Sequence, residues 1–194
     1  LFRTHQYFSG FGSLSLIDNT VFAQLGDQIG ADGLVSSSEK FGFNNALNFD
    51  LPLAKSLMPE PNEMTEWETA WAAAGEPVNP MNHESPAGPQ ATVLQMAMVG
   101  SAIANDGVEM KPYLVEAIED SDGNVLKQIS PKVVSTPISA ETSATMRRLL
   151  YGVVETGGGK NAKTSGYAIG GKTGTAQLYK NGKIETNLHI GSFV

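Results

Sequence analysis

The stretch G-Y-A-I-G-G-K-T-G-T-A-Q, Gly166 to Gln177, constrains this chain more than any other, because it fits two chemistries whose surroundings exclude each other. Read as G-x-x-x-x-G-K-[ST], Gly166 to Thr173 is a phosphate-binding loop, which needs a helix immediately afterwards so that free amides can hold the phosphates. Read as K-T-G-T, Lys172 to Thr175 is one wall of an acyl-transfer cleft and needs a strand. The residues that follow decide between them. Gly174 interrupts a helix, and Leu178-Tyr179-Lys180-Asn181-Gly182-Lys183-Ile184 places Asn-Gly between two candidate strands, a strong hairpin signal. A strand over Ile169 to Tyr179 is expected.

On such a strand the residue types make chemical sense. Lys172 holds positive charge where a substrate carboxylate or a developing anion sits. Thr173 and Thr175 lie two apart, so both hydroxyls point to one face and reach the same group. Gly174 leaves the backbone open to close approach, and the Thr175 amide can donate to an oxyanion. The plainer reading makes Lys172 an exposed strand lysine, but the surrounding glycines cost strand stability and imply that something comes near the backbone.

Composition narrows the alternatives. A chain of 194 residues with 41% hydrophobic content suits one domain, or most of one. The net charge of −7 and the absence of a basic cluster beyond Arg147-Arg148 argue against nucleic acid. Without cysteine there is neither a thiolate metal site nor a cysteine nucleophile, and His5, His83 and His189 stand apart from any partner at ligand spacing. No metal or cofactor is implied. The longest apolar run, around Val93 to Ala104, falls short of the ~18 residues a membrane helix needs. The opening Leu1-Phe2-Arg3-Thr4-His5 reads as the start of an internal fragment.

Caps and breakers place the elements. Asn19-Thr20 can cap a helix that Gly30 ends, and a second short helical stretch runs from Ser36 to Phe41. Asn44 to Met64, with three prolines, is irregular. Thr65 and Glu68 form a capping box for a helix through Ala74; Thr92 and Gln95 form another for a helix that ends at Asn105-Asp106-Gly107. Because that second helix is apolar on nearly every face, burial on nearly all sides is expected. Tyr113 to Glu119 and Val125 to Ile129 flank Ser121-Asp122-Gly123-Asn124 as a hairpin. Ser139 caps a helix to about Val154 whose stripe is Met146, Leu149, Leu150 and Val153. Trp67 and Trp71 read as a packing pair.

Beyond these local readings, Lys172-Thr173-Gly174-Thr175-Ala176-Gln177 resembles the K-T-G-T-A-Q strand of penicillin-binding proteins, the D,D-transpeptidases that cross-link peptidoglycan. Trp71 to Gly75, Gly88 to Ala97, and Ala102 to Gly107 with Pro112 recur in that order in class B members. Asn19 to Gly26 is similar to the end of their S-x-N motif and the helix after it. The resemblance covers nearly the whole chain. It implies a serine enzyme in which an S-x-x-K serine attacks the D-Ala-D-Ala carbonyl and a second stem peptide resolves the acyl-enzyme. Asn19 then binds the substrate amide, Lys172, Thr173 and Gly174 fix the carboxylate, and Thr175 supplies an oxyanion amide. The implied fold is α/β, an antiparallel sheet flanked by helices.

Two departures accompany the match. Ile17 stands where the S-x-N serine belongs, and only 18 residues precede Asn19 although the nucleophile should lie several dozen earlier. Ser37-Ser38-Glu39-Lys40 has S-x-x-K form but falls after Asn19, so Ser37 reads as a helix cap. The expectation is therefore a partial transpeptidase domain over residues 1–194, incomplete at both ends, with peptidoglycan stem peptides and β-lactams as ligands. Division or elongation proteins are partners by resemblance alone, at the outer face of the cell membrane. The alternatives are a serine β-lactamase and a non-catalytic β-lactam-sensing or interaction module.

Overall fold

The computed structural model describes residues 18–78, 88–180 and 183–194, with the backbone alone for 177–180 and 183–186. Helix α1 (Asn19–Lys40) is capped by Asp18, whose Oδ1 accepts from the amides of Thr20 and Val21 at 3.1 and 3.4 Å. The cap therefore sits one residue earlier than Asn19, which already lies in the first turn; the Asp18 carboxylate serves the amides two and three positions on. Gly30, at φ 76° and ψ 166°, interrupts the helix as expected. Helix resumes directly after it rather than at Ser36, so Ser37 stands inside α1 and is not a cap.

Thr65 and Glu68 exchange both bonds of the capping box and open α2 (Glu66–Ala73). This helix packs on α1 at Gly26, where a Cβ would collide with the Ala73 side chain and approach the Thr69 carbonyl oxygen to 3.3 Å. Trp67 and Trp71 stack at 5.3 Å and 13°, with Trp67 65% exposed. They pair with each other on the outer side.

Helix α3 (Val93–Ala104) begins with half a capping box: Thr92 Oγ1 accepts the Gln95 amide at 3.1 Å, but the Gln95 side chain goes elsewhere. It is fully buried and donates to the carbonyl of Phe41 at the end of α1. The all-round burial expected of α3 is not observed, since Gln95, Met98 and Ala102 are buried while Val93 is 90% exposed. Spacings of three and four put those three residues on one stripe, and only that stripe meets neighbouring elements.

Four short strands follow, β1 (Glu109–Met110), β2 (Ala117–Glu119), β3 (Val125–Gln128) and β4 (Val133–Ser135). β2 and β3 pair antiparallel, closed by Asp120, which accepts from the amides of Asp122 and Asn124, with Gly123 at φ 83°. β1 pairs antiparallel with β4, Glu109 opposite Ser135. Helix α4 (Ala140–Glu155) starts at Ser139, whose Oγ accepts the Thr142 amide. From α4, Ser143 and Arg147 donate to the Ile103 carbonyl, and Arg147 also pairs with Asp106 at 2.8 Å, so side chains close the C-terminal end of α3.

β5 (Thr173–Lys180) and β6 (Lys183–Phe193) pair antiparallel with a register shift between Gln177 and Leu178. Asn181 and Gly182, the expected turn, lie outside the described residues. The fold is α/β with antiparallel pairing and flanking helices, arranged among the described residues as three two-stranded ribbons. No helix among them is long and apolar enough to cross a membrane.

Candidate active-site wall

The Lys172 segment runs straight into β5, so a strand and not a helix follows Gly166 to Thr173, and the phosphate-loop reading fails on geometry. Lys172 pairs with Val194 through both backbone bonds, at 2.8 and 3.1 Å, extending the ribbon by one pair. Alternation then puts Thr173 and Thr175 on one face and Lys172 and Gly174 on the other.

The glycines are explained from within the chain. A Cβ on Gly171 would strike the Phe193 ring and lie 2.7 Å from the Val194 carbonyl oxygen; on Gly170 it would meet Leu150 and Tyr151 at 3.2 Å. On Gly174 it would sit 2.6 Å from Ser192 Oγ. What approaches this backbone closely is β6 on one side and α4 on the other. Ser192 thus stands beside the Lys172 face, a position invisible in the sequence because it depends on the register of a bulged hairpin.

The ammonium of Lys172 is half-buried, and its one described bond is to the carbonyl of Thr173 at 2.6 Å. It makes no ion pair with a described carboxylate. Burial pulls its pKa below the usual lysine value. With three donors and one acceptor engaged, the group retains protons for an incoming anion. Thr173 Oγ1 is buried without a hydrogen-bond partner and borders a cavity of about 320 Å³ lined by Gly158, Gly159, Asn161, Ala162 and Phe193. Asn161 was not singled out by sequence reasoning; it lies in a polar stretch after Gly157-Gly158-Gly159 that carries no periodic signal. Thr175 is exposed.

His189 is exposed and opposite Gln177, on the face of Thr173 and Thr175. Asn19 is not brought to this wall by any described contact. It is exposed in the first turn of α1, the helix that packs on α2, and makes no hydrogen bond with the strand. Ile17, His5 and His83 lie outside the described residues. The chain contributes at this wall a desolvated cation, an unpartnered hydroxyl and open strand amides, a set suited to holding a carboxylate and stabilising an oxyanion.

The model of the family described as penicillin binding protein transpeptidase domain matches residues 6–194. Stage V sporulation protein D of Bacillus subtilis (strain 168) is 35% identical over 178 residues, covering 91% of this chain and 26% of that protein. The crystal structure of the D,D-transpeptidase domain of a peptidoglycan glycosyltransferase from Eggerthella lenta superposes with a TM-score of 0.84 at 46% identity, covering 90% of this chain and 43% of that one. Penicillin-binding protein A from M. tuberculosis, solved as an imipenem acyl-enzyme complex, gives a TM-score of 0.73 at 25% identity, over 87% of this chain and 36% of that one. The chain thus spans about a quarter of the curated relative's length and less than half of each solved chain. In sequence and in fold, it belongs to the penicillin-binding protein transpeptidase family.

Proposed function

We propose that the chain is part of a peptidoglycan D,D-transpeptidase and forms the K-T-G wall of its cleft. The observation that carries this reading is the half-buried Lys172 ammonium, uncompensated by a described carboxylate, at the head of a strand beside the unpartnered hydroxyl of Thr173. In the proposed complex Lys172 and the hydroxyls of Thr173 and Thr175 hold the terminal carboxylate of a D-Ala-D-Ala stem peptide or the carboxylate of a β-lactam. The Thr175 amide donates to the carbonyl oxygen as it becomes an oxyanion, and Gly174 keeps the strand surface low enough for the substrate backbone to lie along it.

The attack itself requires a serine and a base. Ser37 and Lys40 do not supply them on this reading: Ser37 is exposed on α1, and Lys40, exposed at the end of the same helix, makes no described hydrogen bond to β5. The nucleophile is assigned to a serine outside residues 18–194, and Asn19 is proposed to bind the substrate amide on the strength of the S-x-N resemblance. The whole protein is placed at the outer face of the cell membrane with division or elongation proteins as partners, supported by the kind of relatives the chain matches.

Incubating the native protein with benzylpenicillin, followed by intact mass and peptide mapping, tests the reading. One adduct per molecule on a serine outside residues 18–194 is expected. An adduct on Ser37 would overturn the motif order, and no adduct would shift the assignment to a non-catalytic module.

A further inference from the structure

Away from the K-T-G wall, the C-terminal end of α1 is closed by two polar side chains from elsewhere in the fold, the buried Gln95 and the half-buried Ser135. Helix ends leave carbonyls without intrahelical donors, and the carbonyls of Lys40 and Phe41 receive no described backbone amide. Phe41 is served by the side-chain amide of Gln95 from α3. Lys40 is served by Ser135 of β4, whose Oγ lies 3.3 Å from the Lys40 oxygen and 2.8 Å from Oε2 of Glu109 on β1. Glu109 is 2% exposed, and its second oxygen has no partner.

Counting protons shows what this triad needs. Ser135 has one hydroxyl proton and two acceptors in reach. If Glu109 is ionised, Ser135 gives its proton to the carboxylate, and the Lys40 carbonyl loses its protein donor and turns to solvent. If Glu109 is neutral, its own O–H donates to Ser135 Oγ and Ser135 donates onward to Lys40, so both short contacts are satisfied together. The Lys40 contact lies at an exposed edge where water can replace Ser135, whereas the buried Glu109 carboxyl, with one oxygen unpartnered, has no such substitute and its charged form is disfavoured. We propose that Glu109 is a proton-dependent latch: neutral, it holds the end of α1 onto the β1–β4 ribbon through Ser135, and ionised, it releases that end.

Burial also pushes the Glu109 carboxyl above its ordinary value of 4.5, against the opposing pull of the Ser135 bond. The charged groups around it come from three elements: Glu39 and Lys40 from α1, Lys111 from beyond β1, and Lys132 from the approach to β4. They share with Glu109 the lining of a cavity of about 420 Å³, to which α3 adds Met98 and no titratable group. The sign follows from a raised carboxyl: the latch is closed at low pH and weakens as pH rises from 4.5 through the folded pKa.

Two measurements on the full chain test this. The Glu109 carboxyl carbon, followed by NMR, should titrate with a midpoint above 4.5. Amide exchange at Phe41, Gly42 and Phe43, corrected for its intrinsic pH dependence, should accelerate by up to about tenfold per pH unit between 4.5 and that midpoint and then level off. In Glu109→Gln, which keeps a permanent donor to Ser135, the corrected profile should be flat. Ser135→Ala provides the second test should the first variant not fold: Glu109 still titrates high, but exchange at Phe41 to Phe43 no longer follows it. A midpoint at or below 4.5, or a wild-type exchange profile retained in either variant, overturns the latch.

Discussion

Two regions of this chain leave polar groups partly unpaired, and they do so in opposite circumstances. At the head of β5, Lys172 is half-buried, holds one carbonyl and keeps its remaining protons, while Thr173 Oγ1 has no partner and borders a cavity. Under α1, Gln95 and Glu109 are buried almost completely: the Gln95 amide donates to the Phe41 carbonyl, Glu109 bonds Ser135, which also reaches the Lys40 carbonyl, and Oε1 of each stays without a partner. The first arrangement leaves a cation and an unpartnered hydroxyl at the head of a strand beside a cavity. The second spends side-chain donors on main-chain acceptors and so fixes where a helix stops.

Substitutions can break that contrast. The largest effect is expected from Lys172→Ala, which should lower the acylation rate by benzylpenicillin at least about 100-fold, the scale of losing one donor to a developing anion. Its thermal midpoint should barely move, because its described bond is to an adjacent carbonyl; a large fall in midpoint would make Lys172 a structural residue like Gln95. Gly171→Ala should do the reverse, costing stability on the order of 1–3 kcal/mol by denaturant titration as its Cβ meets Phe193 and Val194.

A smaller and more diagnostic effect is predicted at the next pair of positions. Gly174→Ala alone should cost about 1 kcal/mol, since the new methyl lies 2.6 Å from Ser192 Oγ, and Ser192→Ala should restore most of the loss. Failure of the double variant to recover would mean that the glycine answers to something other than its cross-strand neighbour. In the buried region, the midpoint of Glu109→Gln should match wild type near pH 4 and exceed it increasingly as pH rises through the raised carboxyl pKa, because only the wild-type side chain must then ionise in place. The smallest effect is expected at the exposed pair Lys163–Glu155, where Lys163→Ala should leave the midpoint within error.

Local chemistry was legible where it acts at short range. The Thr65–Glu68 box, the Ser139 cap, the Asp120-centred turn and the strand character after Gly171 could all be read from neighbouring residues, since each depends on a donor or a φ angle within four positions. The β1–β4 pairing could not: its strands have two and three residues, and their partnership rests on a buried Glu109 that no periodicity announces. Gln95 misled for a related reason. Its spacing from Thr92 suits a capping box, but the carbonyl of Phe41, distant in sequence, claims the side chain. At the candidate wall the order Lys-Thr-Gly-Thr was readable, whereas Ser192 and Asn161 owe their place there to the bulged register and to packing against α4.

The break at Gly30 has a consequence for helical phase. Gly26, sealed against Ala73, and Val35, 3% exposed, would lie roughly two and a half turns apart in an unbroken helix and so point in opposite directions. A φ of 76° at Gly30 resets the azimuth, and both can face inward although they stand on one nominal helix. The segment that carries Asn19 is therefore aimed independently of the segment that ends at Lys40. An insertion on one side of Gly30 would rotate that half alone, so the two ends of α1 behave as separately adjustable parts of the fold.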